Sequence, residues 1–158
     1  MAATVQQRPS AGNDNLDLES QFCFALYSTA LALGKIYAPL LARLGLTYPQ
    51  YLVMLVLWQE DGLTVRALGE QLHLNSGTLT PMLKRMEQAG LVRRNRDKKD
   101  ERLVRTGLTQ AGRDLRVQAV QIPCAIAVAT GLPMDRLVQI KDELDGIRRA
   151  LEADDDAV

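Results

Sequence analysis

The sequence is poor in aromatic residues, contains two cysteines and carries no excess of either charge. Aromatic residues make up 4% of the chain, whereas strand-rich folds are enriched in aromatic and β-branched residues, so the composition favours helices. Lysine and arginine together number 19, as do aspartate and glutamate, so the total charge gives no argument for nucleic acid. Cys23 and Cys124 match no zinc-ligand spacing, and we expect neither a metal site nor a cofactor.

The sequence also shows no signal for membrane insertion or export. No apolar run approaches the ~20 residues of a membrane span, and the N-terminus lacks the order of segments found in a signal peptide. We therefore expect a cytoplasmic protein with reduced thiols and no membrane partner. A chain of 158 residues, 47% of them hydrophobic, is long enough for one core, which predicts a single, mostly α-helical folding unit.

Apolar residues with helical spacing occur near both ends of the chain. The first stripe runs from Leu18 to Leu40, and Pro39 and Gly45 mark the predicted end of its helix. A later stripe is predicted to kink at Pro123. The last helix has a heptad-like seam formed by Leu137, Ile140, Leu144, Ile147 and Leu151. Together these stripes carry more apolar surface than one small domain can cover, which predicts dimerisation.

The central segment predicts two short helices joined by a tight turn, preceded by a helix over about residues 47–59. The first of the two starts at Thr64, whose hydroxyl can cap it. The second starts between Ser76 and Thr78 and ends at Gly90. Proline disrupts a helix interior, so Pro81 is expected in or near the first turn of this second helix.

A hairpin with a basic tip follows these helices. The strand-like runs LVRRNR and RLVRTGL are separated by the polar segment DKKDE. Between Lys84 and Arg105, nine basic and four acidic residues give a net charge of +5, whereas the residues from Asp135 onwards total −4. An isolated basic hairpin is more often a solvated turn, but its position directly after the paired helices favours contact with nucleic acid.

Two short helices followed by a basic hairpin are the parts of a winged helix-turn-helix. We predict that the second helix enters the major groove of double-stranded DNA and that the wing binds phosphates or a narrow minor groove. The predicted DNA-binding residues are Ser76, Thr78, Thr80, Lys84 and Arg85 on the helix, and Arg94, Arg96, Lys98, Lys99 and Arg102 on the wing.

Residues 63–112, LTVRALGEQLHLNSGTLTPMLKRMEQAGLVRRNRDKKDERLVRTGLTQAG, resemble the central segment of the MarR family. The Asp-x-Arg element of that family's wing is matched by Asp100 and Arg102, and Asp97 starts the tip. The similarity extends over about residues 17–152. It implies a homodimer, held together by its terminal helices, that binds a pseudo-palindromic operator and acts as a repressor.

The predicted organisation has five parts. These are a flexible tail over 1–16, a dimerisation helix over 17–46, a winged helix-turn-helix over 47–110, dimerisation helices over 111–153 and a flexible tail over 154–158. His73 is expected to be a turn residue or a phosphate neighbour, and Trp58 and the methionines are expected in the core.

Cys23 is, without context, best explained as a small buried hydrophobe. Its surroundings point elsewhere, because FCFALYSTALALGKIYAPLLARLGLTYPQY resembles the organic-hydroperoxide regulator branch of the MarR family, OhrR. There the N-terminal cysteine is the sensor and two tyrosines hydrogen-bond its thiolate. The resemblance assigns these roles to Cys23, Tyr37 and Tyr48, with organic hydroperoxides as inducers.

Helix geometry adds a constraint to that assignment. Fourteen residues separate Cys23 from Tyr37, so on one helix the two share a face but lie ~21 Å apart. If Tyr37 serves a cysteine, it therefore serves the one in the partner subunit. Phenol donors favour the thiolate, which is the form that attacks a peroxide. Phe22 and Phe24 are expected to favour peroxides with an organic tail over hydrogen peroxide.

Cys124 follows Pro123, and the residues alone leave its role open between core filler and reactive thiol. In two-cysteine members of the OhrR branch, a C-terminal cysteine resolves the sulfenic acid into an intersubunit disulfide. The resemblance implies this role for Cys124. Bringing the two Cα atoms to within ~4.4 to 6.8 Å would require helix movement if the reduced thiols lie further apart.

Two other functions remain open at this point. A regulator of the same fold could be released by a non-covalent aromatic ligand, in which case Cys23 would be dispensable for induction. A thiol peroxidase would also use a reactive and a resolving cysteine, but it needs neither a wing nor a DNA-binding helix. We therefore expect a regulator that is not an enzyme.

Overall fold

The computed structural model describes residues 16–97 and 99–155. Within them the fold is mostly α-helical with one small sheet, as predicted. After a 3-10 turn at Leu18–Ser20, the elements are α1 (Phe22–Ala42), α2 (Tyr48–Gln59), β1 (Leu63–Thr64), α3 (Val65–Leu72), α4 (Ser76–Gln88), β2 (Val92–Arg96), β3 (Val104–Leu108), α5 (Gln110–Ala119), α6 (Ile122–Thr130) and α7 (Met134–Asp155). The expected tails at 1–15 and 156–158 lie outside the described residues, whereas α7 extends two residues into the second expected tail.

Short polar side chains set the starts of the helix-turn-helix pair. The Thr64 hydroxyl accepts a 3.1 Å hydrogen bond from the Ala67 amide, which confirms the predicted cap of α3. The Asn75 carboxamide oxygen accepts one of 2.9 Å from the Thr78 amide at the start of α4. The turn between them is tight, because a Cβ on Gly69 would lie 2.6 Å from the Leu74 carbonyl oxygen.

Three prolines lie near helix ends. α1 ends at Ala42, between Pro39 and Gly45 as predicted, and Pro81 is the sixth residue of α4, just after its first turn. Pro123 breaks a helix instead of kinking it, because α5 ends at Ala119 and α6 begins at Ile122. Proline has no amide hydrogen to donate to the carbonyl four residues earlier, so it fits the first turn of a new helix better than the interior of a continuing one.

The sheet has three antiparallel strands in the order β1-β3-β2. β2 and β3 form the predicted wing, with Val92 opposite Leu108 and Arg96 opposite Val104. The two-residue strand β1 was not predicted, because so short a segment carries no alternating pattern. It pairs Leu63 with Thr106 and joins the base of the wing to the start of α3.

One hydrophobic core is present in the described chain. Its buried residues come from the helix-turn-helix, the wing and the helices beside them, and include Val53, Met54, Leu68, Leu83 and Met86. The four predicted inward residues of α4, which are Leu79, Met82, Leu83 and Met86, are all buried. Trp58 is only partly buried and packs against this core.

The chain divides within α1 into two compact units, Met1–Lys35 and Ile36–Val158. The core belongs to the second unit, and the described part of the first contains no buried residue. The one core that the chain length predicted is therefore found in the second unit. α1 is also long and apolar enough to cross a membrane by length and composition, contrary to the expectation from sequence, although one such helix is weak evidence for a span.

Candidate nucleic-acid interface and thiol residues

The predicted DNA-binding residues of α4 lie on its solvent side. Ser76, Thr78, Lys84 and Arg85 are exposed and Thr80 is half-buried, whereas the opposite face of the helix enters the core. α4 therefore presents hydroxyl groups near its start and positive charge further along, which suits base edges and phosphates respectively. A groove next to its first turn is lined by residues of α3, α4 and the wing, including Ser76, Thr80, Arg94 and Arg102.

The structure separates the predicted wing residues into two groups. Arg96, Lys99 and Arg102 are exposed, and the guanidinium of Arg102 has no partner among the described residues. Only the Arg102 amide is used, in a 3.0 Å hydrogen bond to the Asp100 carboxylate. The side chains of Lys99 and Arg102 are free to meet a phosphate, whereas Nη1 of Arg96 donates a 3.5 Å hydrogen bond to the Glu101 carbonyl. Lys98 lies outside the described residues.

Arg94, unlike the exposed residues of the wing, has a mostly buried side chain. Its side chain is 19% exposed and its Nε lies 2.9 Å from Oε2 of Glu87, a residue of α4. The Arg94 amide donates a second hydrogen bond, of 2.8 Å, to Oε1 of the same carboxylate. Hydrogen bonds from the Arg94 side chain and amide hold the pKa of Glu87 below its usual value. The structure therefore places the Nε of Arg94 in an ion pair within the protein, and the predicted phosphate contact of Arg94 stays a prediction.

The wing tip is held by Asp97 and Arg105. The Arg105 Nε donates to the Asp97 carboxylate, and its Nη1 donates a 2.9 Å hydrogen bond to the Gly62 carbonyl. The amides of Lys99 and Asp100 donate to the other Asp97 oxygen. The Arg105 hydrogen bond is the largest cause that lowers the pKa of Asp97 to about 2. Sequence analysis assigned no role to Arg105, although its opposite charge to Asp97 across a hairpin was an available signal.

Two further contacts fix the base of the wing. Asp61 accepts hydrogen bonds of 2.7 Å from the Leu108 amide and from the Arg113 guanidinium, which joins β3 to α5. The Trp58 indole donates 2.9 Å to the Gly112 carbonyl. Gly112 has to be glycine, because a Cβ there would lie 2.1 Å from the Leu91 carbonyl oxygen.

His73 is a turn residue, as predicted. It ends α3 in the left-handed conformation, with φ of 54°. Its Nδ1 lies 3.1 Å from the Glu152 carboxylate near the end of α7. No group of three or more potential metal ligands occurs in the part of the chain that the structure describes.

Both cysteines are exposed, so neither is the small buried hydrophobe that a lone cysteine usually is. Cys23 is the second residue of α1 and Cys124 is the third residue of α6. Beside Cys23, Phe22 is exposed and Phe24 is half-buried. Each thiol is therefore open to solvent and to small oxidants in a single chain.

The two predicted tyrosines are neighbours in the second unit. The ring centroids of Tyr37 and Tyr48 are 4.6 Å apart. Tyr51 lies 6.1 Å from Tyr37 by the same measure and extends the pair into the core; sequence analysis did not single it out. Burial, followed by the neighbouring Tyr48 and Tyr51 phenols, raises the pKa of Tyr37 to about 12. Its hydroxyl thus stays protonated near neutral pH and can donate a hydrogen bond.

Comparisons with known proteins bear on both parts of the site. The MarR family matches residues 46–104. An organic hydroperoxide resistance transcriptional regulator of Bacillus subtilis is 50% identical over 83% of this chain and 89% of its own length. The transcriptional regulator TtmR of Methylorubrum extorquens is 48% identical over 89% of this chain and 72% of its own length. These similarities confirm the family resemblance predicted from the sequence.

Solved structures of AbfR from Staphylococcus epidermidis have the same fold. Reduced AbfR bound to DNA has a TM-score of 0.73 and 36% identity, over 87% of this chain and 96% of AbfR. The disulfide-formed AbfR has a TM-score of 0.59 and 34% identity, over 89% of this chain and 93% of AbfR. The fold is therefore one that has been solved both on DNA and with a disulfide.

Proposed function

Because the chain belongs to the MarR family of transcriptional regulators, we propose that it is a homodimeric repressor released from operator DNA when organic hydroperoxides oxidise Cys23. The observation that carries this proposal is an exposed Cys23 together with the Tyr37–Tyr48 pair, in a chain half identical to an organic hydroperoxide resistance regulator. An operator with two half-sites suits a two-fold dimer, since each subunit supplies one α4 and one wing.

The apolar surface of the terminal helices supports the dimer. α7 contains no buried residue among those described, and its seam residues Leu144, Ile147 and Leu151 are exposed. Phe22, Leu26 and Leu31 of α1 are exposed as well. Surfaces of this kind are covered by a partner in stable dimers, whose interfaces resemble a protein core. We therefore assign α1 and the α5–α7 segment to dimerisation.

The proposed oxidation takes place at sulfur. The Cys23 thiolate attacks a peroxide oxygen, the O–O bond breaks, an alcohol leaves and the sulfur becomes a sulfenic acid. The thiol of Cys124 in the partner subunit then displaces water from that sulfur and forms a disulfide. Tyr37 and Tyr48 supply hydrogen-bond donors to the thiolate, and the raised pKa of Tyr37 keeps its hydroxyl in the donating form.

The tyrosines act across the dimer in this proposal. Cys23 and Tyr37 belong to the same helix, fourteen residues apart, so the hydroxyl serves the partner's thiolate. A disulfide requires Cα atoms within ~7 Å of each other, and forming one moves the helices that carry the two α4 elements. The higher TM-score against reduced, DNA-bound AbfR than against disulfide-formed AbfR agrees with such a change.

Cysteine variants test the redox step. Cys23→Ser is expected to bind operator normally and to resist release by cumene hydroperoxide, because the nucleophile is gone and α4 is untouched. Cys124→Ser is expected to react at Cys23 but to form no covalent dimer on non-reducing gels. Hydrogen peroxide at the same concentration is expected to release wild type more slowly.

The same assay separates the other candidates. Release of Cys23→Ser by hydroperoxide would exclude the redox proposal, and its release by an aromatic carboxylate would favour a non-covalent ligand. Sustained peroxide consumption with a thiol reductant would indicate a thiol peroxidase. Covalent dimers that persist in Cys124→Ser would indicate a disulfide between two Cys23 residues.

A further inference from the structure

We propose that Glu87 is a positioning residue for DNA binding, which holds Arg94 and thereby fixes the wing against the DNA-binding helix. The inference rests on the proposed function only in that this protein binds an operator through α4 and the wing. It assigns a role to a carboxylate for which the sequence alone indicated none. It also removes Arg94 from the set of phosphate contacts.

Glu87 is attached to Arg94 by two hydrogen bonds. Glu87 is the penultimate residue of α4 and Arg94 is the third residue of β2. One carboxylate oxygen accepts the Arg94 amide at 2.8 Å and the other accepts its Nε at 2.9 Å. Two bonds from one carboxylate to the main chain and the side chain of one residue restrain both the position and the rotation of β2 relative to α4.

The surroundings of Arg94 keep its side chain in place. In the antiparallel pairing Arg94 is opposite Thr106, which is fully buried. Neighbouring residues of a strand point to opposite faces, so Arg94 lies on the protein side of the wing and Arg93, which is exposed, on the other. Turning the Nε of Arg94 towards a phosphate would break a partly buried ion pair and leave Oε2 of Glu87 without its partner, which is costly.

Arg102 provides the contrast within the same groove. Its guanidinium has no partner among the described residues and its side chain is exposed. Both arginines line the groove beside the first turn of α4. The charge of Arg94 is compensated by Glu87, whereas that of Arg102 is available to an anion. The two arginines therefore have separate tasks, one in holding the wing and one in binding DNA.

The salt dependence of operator affinity tests this division. A residue that neutralises one phosphate contributes ~0.9 to the slope of log K against log salt, whereas a positioning residue contributes nothing. We expect Glu87→Ala and Arg94→Ala each to weaken operator binding about tenfold with an unchanged slope. The double variant is expected to be no weaker than either single one, since both remove the same attachment. Arg102→Ala is expected to reduce the slope by ~0.9.

Whether Glu87→Ala weakens or strengthens operator binding decides between the two roles of Arg94. If Arg94 were a phosphate contact restrained by Glu87, freeing it would strengthen binding, and Arg94→Ala would lower the slope; either result overturns the proposal. Glu60→Ala is the matched control, because it removes the same charge from an exposed residue at the end of α2, outside the wing and the helices assigned to dimerisation. It is expected to leave operator affinity within about twofold of wild type.

Footprinting separates positioning from loss of fold. In Glu87→Ala, the wing is expected to keep its phosphate contacts but to be less ordered, so protection of the sugars under the wing weakens while protection of guanine N7 in the major groove under α4 persists. Simultaneous loss of both would overturn the proposal. If Glu87→Ala does not fold, Glu87→Gln keeps an oxygen for the Arg94 amide and is expected to lose part of the wing protection. An unchanged slope in Arg102→Ala would instead contradict the proposed contact of the wing with DNA.

Discussion

α4 and α7 are both helices with an apolar stripe, but only one of them buries it. The stripe of α4 lies in the core, with Leu79, Leu83 and Met86 inaccessible to solvent. α7 is longer, at 22 residues, and has no buried residue among those described. Helical periodicity therefore predicts that a face is apolar, but it does not say whether the same chain covers that face. Here the first stripe stabilises a fold, and the second is assigned to a dimer.

The contrast between the apolar stripes of α4 and α7 fails most clearly if α7 does not form a dimer interface. Ile147→Asp places a charge in the seam, and we expect the dimer dissociation constant to rise about 100-fold or more, since a charge buried without a partner costs several kcal/mol. Analytical ultracentrifugation over a dilution series measures this. Gln139→Asp adds the same charge outside the seam and is expected to leave the dimer intact. Equal effects of both substitutions would contradict the assignment of the seam.

A substitution in the buried stripe of α4 should instead lower the stability of the fold. Leu83→Ala removes a fully buried side chain and is expected to lower the free energy of unfolding by about 2–5 kcal/mol. Urea denaturation at a fixed protein concentration measures it, because dimerisation makes the midpoint concentration-dependent. Gln88→Ala, at an exposed residue of the same helix, is expected to cost about 0.5 kcal/mol or less. A larger cost at Gln88 than at Leu83 would place the stabilising core elsewhere.

The contribution of local structure to α4 is smaller. Asn75→Ala removes the side-chain oxygen that accepts the Thr78 amide and is expected to cost about 1 kcal/mol of unfolding free energy. Asn75→Asp keeps an acceptor at the same place and should retain most of the stability. If alanine and aspartate are equivalent in urea titrations, the cap does not contribute to the stability of α4.

The smallest expected effect is a pH dependence from Tyr37. Its pKa in the folded chain is about 12, above the usual ~10 of an unfolded tyrosine. The unfolded state loses its proton first, so this contribution to stability is complete below pH ~10 and is lost as the pH rises towards ~12. Absorbance titration of wild type against Tyr37→Phe should show a missing phenolate signal near pH 12. A difference near pH 10 would contradict the shift.

Sequence reasoning succeeded where the signal is local. The caps at Thr64 and the inward residues of α4 follow from side-chain chemistry and from the helical period, and the structure has both. It could not identify contacts between groups that are distant in sequence. Arg94 has the charge expected of a DNA contact, and only the fold shows that its Nε pairs with Glu87. Likewise Pro123 marks a disturbance, but whether a helix kinks or breaks there depends on packing on both sides.

The hydrogen bond from Trp58 to Gly112 has a spectroscopic consequence. Trp58 is the single tryptophan of the chain, so the indole emission of each subunit comes from one location, next to the base of the wing. A shift of α5 relative to α2 would change the polarity around that indole and therefore its emission wavelength. The unlabelled protein thus contains its own optical probe, with which movement near the wing can be followed in real time as peroxide is added.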